Sequence, residues 1–574
     1  MLILVLTVLC AVPTISLPFM MDDWFHISAL DGWLGLERPR IPDYFDDWRE
    51  PWGGPTCFAF FPGGEDNARY IADALVPWWT SIDLRIQFFR PLTSLTHLLD
   101  HRLFDTRPLG HHLHSVLWYV GLVGAVTLLY RRILPGSVGV MAAVIFAIDE
   151  GHWFPTAWIA NRNALIAALP AVLGLLAHIR WQSSGWRAGL PLSLLGLAVG
   201  LTGGEAALGV FALLAAYQLL GAPGPLPRRL LGLLPAVLLG VAWAGMYRAL
   251  GYGAHGSGLY IDPGVDPGAF AAVAPVRALV LLGGQVLGLP ADAFFFAPAM
   301  KVGLVLGGGV AAVVLVVALR WAWPNLSEPE RGHLRWLIPG GLLAMIPGLA
   351  TFPVNRMLLV PGIGLGVATA AVFVVAWRKR RWGLVVLIAL PHLITPLPMW
   401  CGMTAATHHI DRIIPDLIAR MEVDPTRDAI ALFTPDPAVA IYLSVMQAHT
   451  GQPIATRWQP MSMAPFDHRL TRLSERTFRL EVLGGVMGDR PFEALFRSFE
   501  ASPMLEGDRI VSGRLAVVVE EVDAGRPTTI RIELEAPIAE YALVVWTDGT
   551  LKEIPPPDIG QSITVAHEPG PMGL

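Results

Sequence analysis

Phe19-Met20-Met21-Asp22-Asp23-Trp24-Phe25-His26 follows an apolar run that starts at Met1 and ends at Leu17. Two adjacent carboxylates where a span leaves the membrane are costly to desolvate, so acids in such a place point to function. The competing explanation is a solvated helix end, since charged residues are ordinarily exposed. The run has no basic leader and no small-residue cleavage site before Asp22, and it reads as a retained first span rather than a removed signal peptide.

Outward from this stretch the chain stays apolar. Its 574 residues are 54% hydrophobic and 15% charged, and mean hydropathy is +0.52. Soluble domains carry nearer a quarter charged residues, so the composition describes an integral membrane protein with a soluble part. A net charge of −5 without a basic stripe argues against nucleic-acid binding. Cys10, Cys57 and Cys401 have neither metal-type spacing nor a disulfide framework. A Cys57–Cys401 bridge and free thiols are both open, with free thiols favoured.

Apolar segments at 1–18, 112–130, 136–148, 164–179, 190–201, 206–220, 230–250, 302–319, 337–349, 357–377 and 382–400 give about eleven spans. Arg131-Arg132, Arg180, Arg187, Arg228-Arg229, Arg320, Arg331, Arg335 and Arg378-Lys379-Arg380-Arg381 fall on one side if the N-terminus is cytoplasmic. The stretch 269–289 would break that alternation. With Arg277, several Gly and a following Pro290, it reads as a helix lying at the outer interface or dipping in and out.

The expected organisation is a transmembrane domain at 1–405 with outer loops at 22–110 and 251–300, then an extracytoplasmic α+β domain at 406–574. In that tail, 429–433 reads as a buried strand, 438–449 as a helix, and 514–521, 528–535 and 541–546 as strands.

Acids recur at outer boundaries: Asp22 and Asp23, Asp149 and Glu150 beside His152, and Glu205 after Gly203-Gly204. A carboxylate in low dielectric has its pKa raised towards neutrality and can act as a general base. The competing reading is that each marks a helix end, and for Glu205 the glycine pair before it argues for a re-entrant turn. Arg90, Arg162, Arg248, Arg277 and Arg356 lie on the side where positive charge is normally depleted. Their guanidinium forks suit a lipid-linked phosphate, against which stands snorkelling to headgroups. His97, His101, His111, His112 and His114 do not form a tight metal-ligand set.

Phe89-Arg-Pro-Leu-Thr-Ser-Leu-Thr-His-Leu-Leu-Asp100-His-Arg-Leu-Phe104, then Pro108-Leu-Gly-His-His112-Leu, resembles the end of the first outer loop in membrane glycosyltransferases of the GT-C class. The likeness is to the polyprenyl-phosphate-sugar-dependent O-mannosyltransferases that carry tetratricopeptide repeats, and to their bacterial relatives. Further elements fall in order. Asp22-Asp23 resembles the family's acidic pair after the first span, and His152 with Ala157-Trp158-Ile159 and Arg162 its His-Thr-Glu-Ala-Val-Ala-Trp-Ile-x-Gly-Arg element. Gly204-Glu205 resembles its Lys-Glu, and Asn355-Arg356-Met-Leu-Leu-Val-Pro361 its Glu-Arg-x-Leu-Tyr-Leu-Pro. The departures are Asp149 for the first His, Phe154 for Glu, Asn161 for Gly, Gly204 for Lys and Asn355 for Glu. No tetratricopeptide repeat follows.

The resemblance covers residues 1–400. It implies an α-helical polytopic GT-C-like membrane protein of a bacterial inner membrane, with the α+β domain on the outer, periplasmic face. The implied enzyme moves a sugar, with inversion, from a polyprenyl-phosphate carrier to the hydroxyl of a protein or glycan acceptor. Asp23, or else Asp22, would deprotonate or orient that hydroxyl, and Glu205 would be a second polar anchor. Arg356, Arg277 and Arg162 would hold the carrier phosphate, with Arg90, His112 and His152 also lining the binding site. The middle loop would shape the lipid entrance. No cofactor is implied, and a divalent cation is left open. The alternative is a non-catalytic carrier or scaffold for lipid-linked intermediates, favoured by Phe154 and Gly204. A secondary transporter is weaker, because no matched pair of broken helices occurs.

Overall fold

The computed structural model describes residues 1–36, 48–49, 53–134, 136–450, 455 and 457–571. Residues 37–47 and 50–52 of the expected first loop lie outside the described residues, as do 451–454, 456 and 572–574 of the expected tail domain. The chain divides into two compact units. One comprises Met1–Asp23, Phe89–Leu250 and Asp266–Thr407, and the other Trp24–Phe88, Gly251–Val265 and His408–Leu574.

The first unit is helical. Among the described residues, seven helical stretches are long and apolar enough to cross a membrane: Pro108–Ile133, Ile159–Ser184, Leu226–Ala249, Pro267–Leu287, Pro298–Asn325, Pro361–Arg378 and Trp382–Ala419. Ser137–Ile148 and Glu150–Ala157 form a pair bent by 46° that makes an eighth if taken as one span. Leu2–Ser16, Gly189–Gly203 and Ala207–Gly221 are shorter apolar helices. Glu328–Ala344 starts at a capping box in which Ser327 and Glu330 satisfy each other's backbone N–H groups.

Pro267–Leu287 departs from the expectation of a surface-lying helix. It is one continuous helix of 21 residues, which at 1.5 Å per residue is about 31 Å long. Its glycines are contact points rather than breaks. A Cβ on Gly308 would lie 2.1 Å from the Leu279 carbonyl oxygen, and one on Gly283 would be 3.4 Å from Gly308 Cα. Two backbones approach this closely only where side chains are missing. Arg277 is 8% exposed and donates to the Leu349 carbonyl at 2.8 Å, so its charge is held within the protein.

The second unit is α+β. Its largest sheet is antiparallel, in the order Ser562–Val565, His468–Arg472, Thr477–Val482, Arg526–Leu534, Leu515–Asp523, Arg509–Ser512. Alternation decides its faces. Phe478, Leu480, Ile530, Ile532, Val517 and Val519 are buried. Outside, Arg469 pairs with Glu481 at 3.0 Å, and Glu520 with Arg479 at 2.6 Å and Arg531 at 2.9 Å. A second sheet places Tyr541–Thr547, Asp428–Phe433 and Trp458–Pro460 in parallel, with Thr550–Glu553 antiparallel at one edge.

A third sheet joins loops far apart in sequence: Ala59–Phe61, Arg85–Gln87 and Gly253–His255. The first loop therefore folds with the tail. Trp78 and Trp79 share a core with Leu480 and Val517, and the Trp78 indole donates to the Met461 carbonyl at 3.0 Å. Arg497 donates to the Trp79 carbonyl at 2.8 Å and to Ser502 Oγ at 3.0 Å. Cys10 and Cys401 are free thiols, the first buried and the second exposed, and Cys57 is buried.

Glu493 is buried and accepts the Met463 N–H at 3.0 Å and the Arg490 N–H at 3.2 Å. Burial pushes its carboxyl up to about 7, against those N–H donors. An unfolded Glu ionises near 4.3. Between those values the folded state retains a proton that the unfolded state has lost, so stability falls as pH rises through the window. We expect wild type to lose about 2 kcal/mol more than Glu493→Gln between pH 5 and pH 8, read as denaturant unfolding of the β-rich unit.

Candidate functional site

The bend after Ile148 is built by short-range hydrogen bonds. Asp149 Oδ1 accepts the Gly151 N–H at 2.9 Å, and Thr156 Oγ1 donates to the His152 carbonyl at 2.8 Å. Trp153–Ala157 is followed by a tight turn at Ile159–Arg162, which opens into the helix Asn163–Ser184. Several of the separated sequence elements meet on this turn.

From the first turn of the helix Asp22–Leu34 comes Asp23, 1% exposed. Its Oδ1 accepts the Ala160 N–H at 2.7 Å and its Oδ2 the Met20 N–H at 2.9 Å. Burial pushes its carboxyl up to about 8, with Asp22 adding to the rise and the two N–H donors opposing it. Both oxygens are thus occupied by backbone, which makes Asp23 a tie between the chain entry and the turn. Met21 has φ +44°, a left-handed conformation that costs a non-glycine residue about 1–2 kcal/mol. Met21 leads into Asp22, which is half-buried.

From the helix Pro91–Phe104 comes Asp100. Its Oδ2 lies 2.6 Å from a terminal nitrogen of Arg162, and its Oδ1 2.6 Å from His114 Nδ1. Arg162 is 0% and Asp100 1% exposed. The guanidinium also donates to the His111 carbonyl at 3.1 Å and lies 3.1 Å from His97 Nδ1. Arg162 is therefore committed to bracing the turn.

Gly204 backs onto the turn's far end, where a Cβ would be 3.1 Å from the Asn163 side chain. Beside it, Glu205 Oε2 receives two donors of Arg90 at 2.9 and 2.8 Å, and Oε1 receives the Tyr247 hydroxyl at 3.2 Å. The positive charge facing Glu205 thus comes from Arg90.

Arg356 closes the ring. Its guanidinium carbon lies 4.9 Å from the Trp158 ring centroid and 5.9 Å from that of Phe352, a cation–π geometry. The buried histidines serve the frame. His112 Nε2 is 3.3 Å from the Pro18 carbonyl, and His152 Nδ1 is 3.3 Å from the Tyr119 hydroxyl. No group of three or more His, Cys, Asp or Glu able to hold a metal ion occurs among the described residues.

The sequence pattern overlooked Tyr247 and Asp292. Asp292 is an acid beside an apolar helix, which by itself is a signal at a membrane boundary. Tyr247 carries no such signal, because aromatics are common at both interfaces.

No family model matches the chain. Over 93 residues it is 31% identical to the protein O-mannosyl-transferase Tmtc1 of Drosophila melanogaster. That stretch is 16% of this chain and 11% of the relative, so only about a tenth of the relative's length is spanned. Among solved structures, the chain aligns with the Archaeoglobus fulgidus oligosaccharyltransferase tethered with an acceptor peptide. The TM-score is 0.38 at 14% identity, over 80% of this chain and 64% of that one. It also aligns with ArnT of Cupriavidus metallidurans bound to undecaprenyl phosphate, with a TM-score of 0.36 at 13% identity, over 80% and 88%.

Removing the Asp100 charge strands a buried guanidinium, which costs roughly 3–5 kcal/mol. Asp23→Asn sets an amide donor against one backbone N–H, a loss of about 1–3 kcal/mol. Chemical unfolding in detergent is expected to rank Asp100→Asn as the more damaging of the two, with Asp22→Asn near wild type.

Proposed function

We propose that this chain transfers a sugar from a polyprenyl-phosphate carrier to an acceptor hydroxyl at the outer face of the membrane. The observation that carries this reading is the convergence of Asp23, Trp158, Arg162, Gly204-Glu205 and Arg356 around one turn. These residues come from motifs spread over more than half the sequence, and the O-mannosyltransferase likeness rests on the same motifs.

The chemistry follows from how deeply each group is buried and what holds it. In an inverting displacement the acceptor oxygen bonds to the anomeric carbon as the carbon–oxygen bond to phosphate breaks. The acceptor proton needs a base, and the departing phosphate needs positive charge where its own charge grows. Asp22 takes the first role, because Asp23 spends both oxygens on backbone N–H groups. Arg356 takes the second, held on Trp158 rather than in a buried ion pair with Asp100 as Arg162 is. Glu205, fixed by Arg90 and Tyr247, anchors a polar group of donor or acceptor. Asp23, Arg162, His112 and His152 keep these groups in register. Arg277, buried against the Leu349 carbonyl, ties its helix to the turn Ile346–Ala350.

The test is transfer, or slow hydrolysis, of radiolabelled sugar from a panel of polyprenyl-phosphate sugars by purified protein. Asp22→Asn should lower turnover by at least about a hundredfold with carrier binding retained. Arg356→Ala should lower both. Carrier binding without release from any donor, indifferent to Asp22→Asn, would replace this reading with that of a non-catalytic carrier.

A further inference from the structure

Arg356 lies on a loop, and something must fix its direction. Asn355–Leu358 is a single tight turn following an extended Val354, too short to hold a long cationic side chain on its own. The neighbouring segment supplies the constraint. Asp292 Oδ2 accepts the Asn355 N–H at 3.1 Å, and Asn355 Oδ1 accepts the Ala291 N–H at 3.2 Å. The two bonds run in opposite directions across the same pair of strands of chain and clamp residues 291–292 to residue 355.

Asp292 stands at the N-cap position of the short helix Ala293–Phe296, yet its side chain makes no capping bond there. The carboxylate reaches to the Arg356 loop instead. Space is made for this arrangement, since a Cβ on Gly284 would come within 2.9 Å of Asn355 Oδ1. Below, the Phe295 ring stacks on Phe352 at 4.3 Å between centroids, and Phe352 lies beside the Arg356 guanidinium. The segment that carries Asp292 thus meets the Arg356 loop through both a polar clamp and an aromatic stack. Burial raises the Asp292 carboxyl, while the Asn355 N–H and the Arg356 charge draw it down, so the two charges sense each other.

We propose that Asp292 is the positioning residue of Arg356, holding its guanidinium on the Trp158 ring by clamping the Asn355 backbone and supplying the facing negative charge. The geometric part of this inference stands on its own. Its consequence for carrier phosphate rests on the reading of Arg356 given above.

Two readouts on the full-length protein separate them. Dicarbonyl modification of arginine, followed by peptide mass spectrometry at Arg356, needs no ligand. Asp292→Asn should raise labelling of Arg356 several-fold, and moving the carboxylate next door with Asp292→Asn/Asn355→Asp should bring it back. Unchanged labelling in Asp292→Asn, or no return in the double variant, overturns the proposal whatever the protein binds. The second readout is binding of undecaprenyl phosphate in detergent. With Arg356→Ala as reference, Asp292→Asn should weaken binding roughly tenfold, as expected when a charged hydrogen-bond acceptor becomes a neutral one, and the double variant should recover it. If wild type and Arg356→Ala bind alike, the phosphate reading fails while the labelling result still judges the clamp. If Arg356→Ala loses binding and Asp292→Asn does not, the clamp is overturned and the phosphate reading stands.

Discussion

The buried ion pair between Arg162 and Asp100 is the constraint on which the helical unit's polar centre depends. Both side chains are removed from solvent, where each charge alone would be prohibitively costly. The pair, with His114, His97 and the His111 carbonyl, fixes where the turn Ile159–Arg162 can lie. That turn then offers a backbone N–H to Asp23 and an indole face to Arg356. A division of labour follows. The most deeply buried charges build the frame, and Asp22 and Arg356 are only half-buried.

Two departures from the family pattern become intelligible in space. Where the pattern has Lys before Glu, this chain has Gly204, and Arg90 brings the positive charge to Glu205 from another helix. Where it has Glu before Arg, this chain has Asn355, and the carboxylate comes from Asp292. A charge requirement belongs to a place in the fold and not to a position in the chain. Phe154 has no such counterpart, and nothing in the structure explains it.

Helices with long apolar runs were legible in the sequence because nothing else satisfies backbone groups in lipid. The strands at 428–433, 515–523, 526–534 and 541–547 were legible for their β-branched content and alternation. The role of Pro267–Leu287 was not. Gly and Arg read as surface signals, whereas here Gly283 and Gly308 permit close helix contact and Arg277 is buried with a hydrogen bond to a backbone carbonyl. Nor was the joining of the first loop to the tail legible, since its strands are only three residues long. Among the acids, Asp22-Asp23 stood out as a pair, but only geometry separates the buried tie, Asp23, from the half-buried Asp22.

The composite soluble unit has a consequence for biogenesis. Trp78 and Met461 are joined by a hydrogen bond across 383 residues of chain, so the first loop emerges from the ribosome long before the segment that completes its core. Such a long separation makes folding slow and leaves apolar surface unpaired meanwhile. Trp78, Trp79 and Ile86 must wait, uncovered, until the remaining helices are inserted and the tail is synthesised. The segment around Met461 is therefore the one that lets the first loop fold, and maturation of that loop reports that the intervening chain has been made.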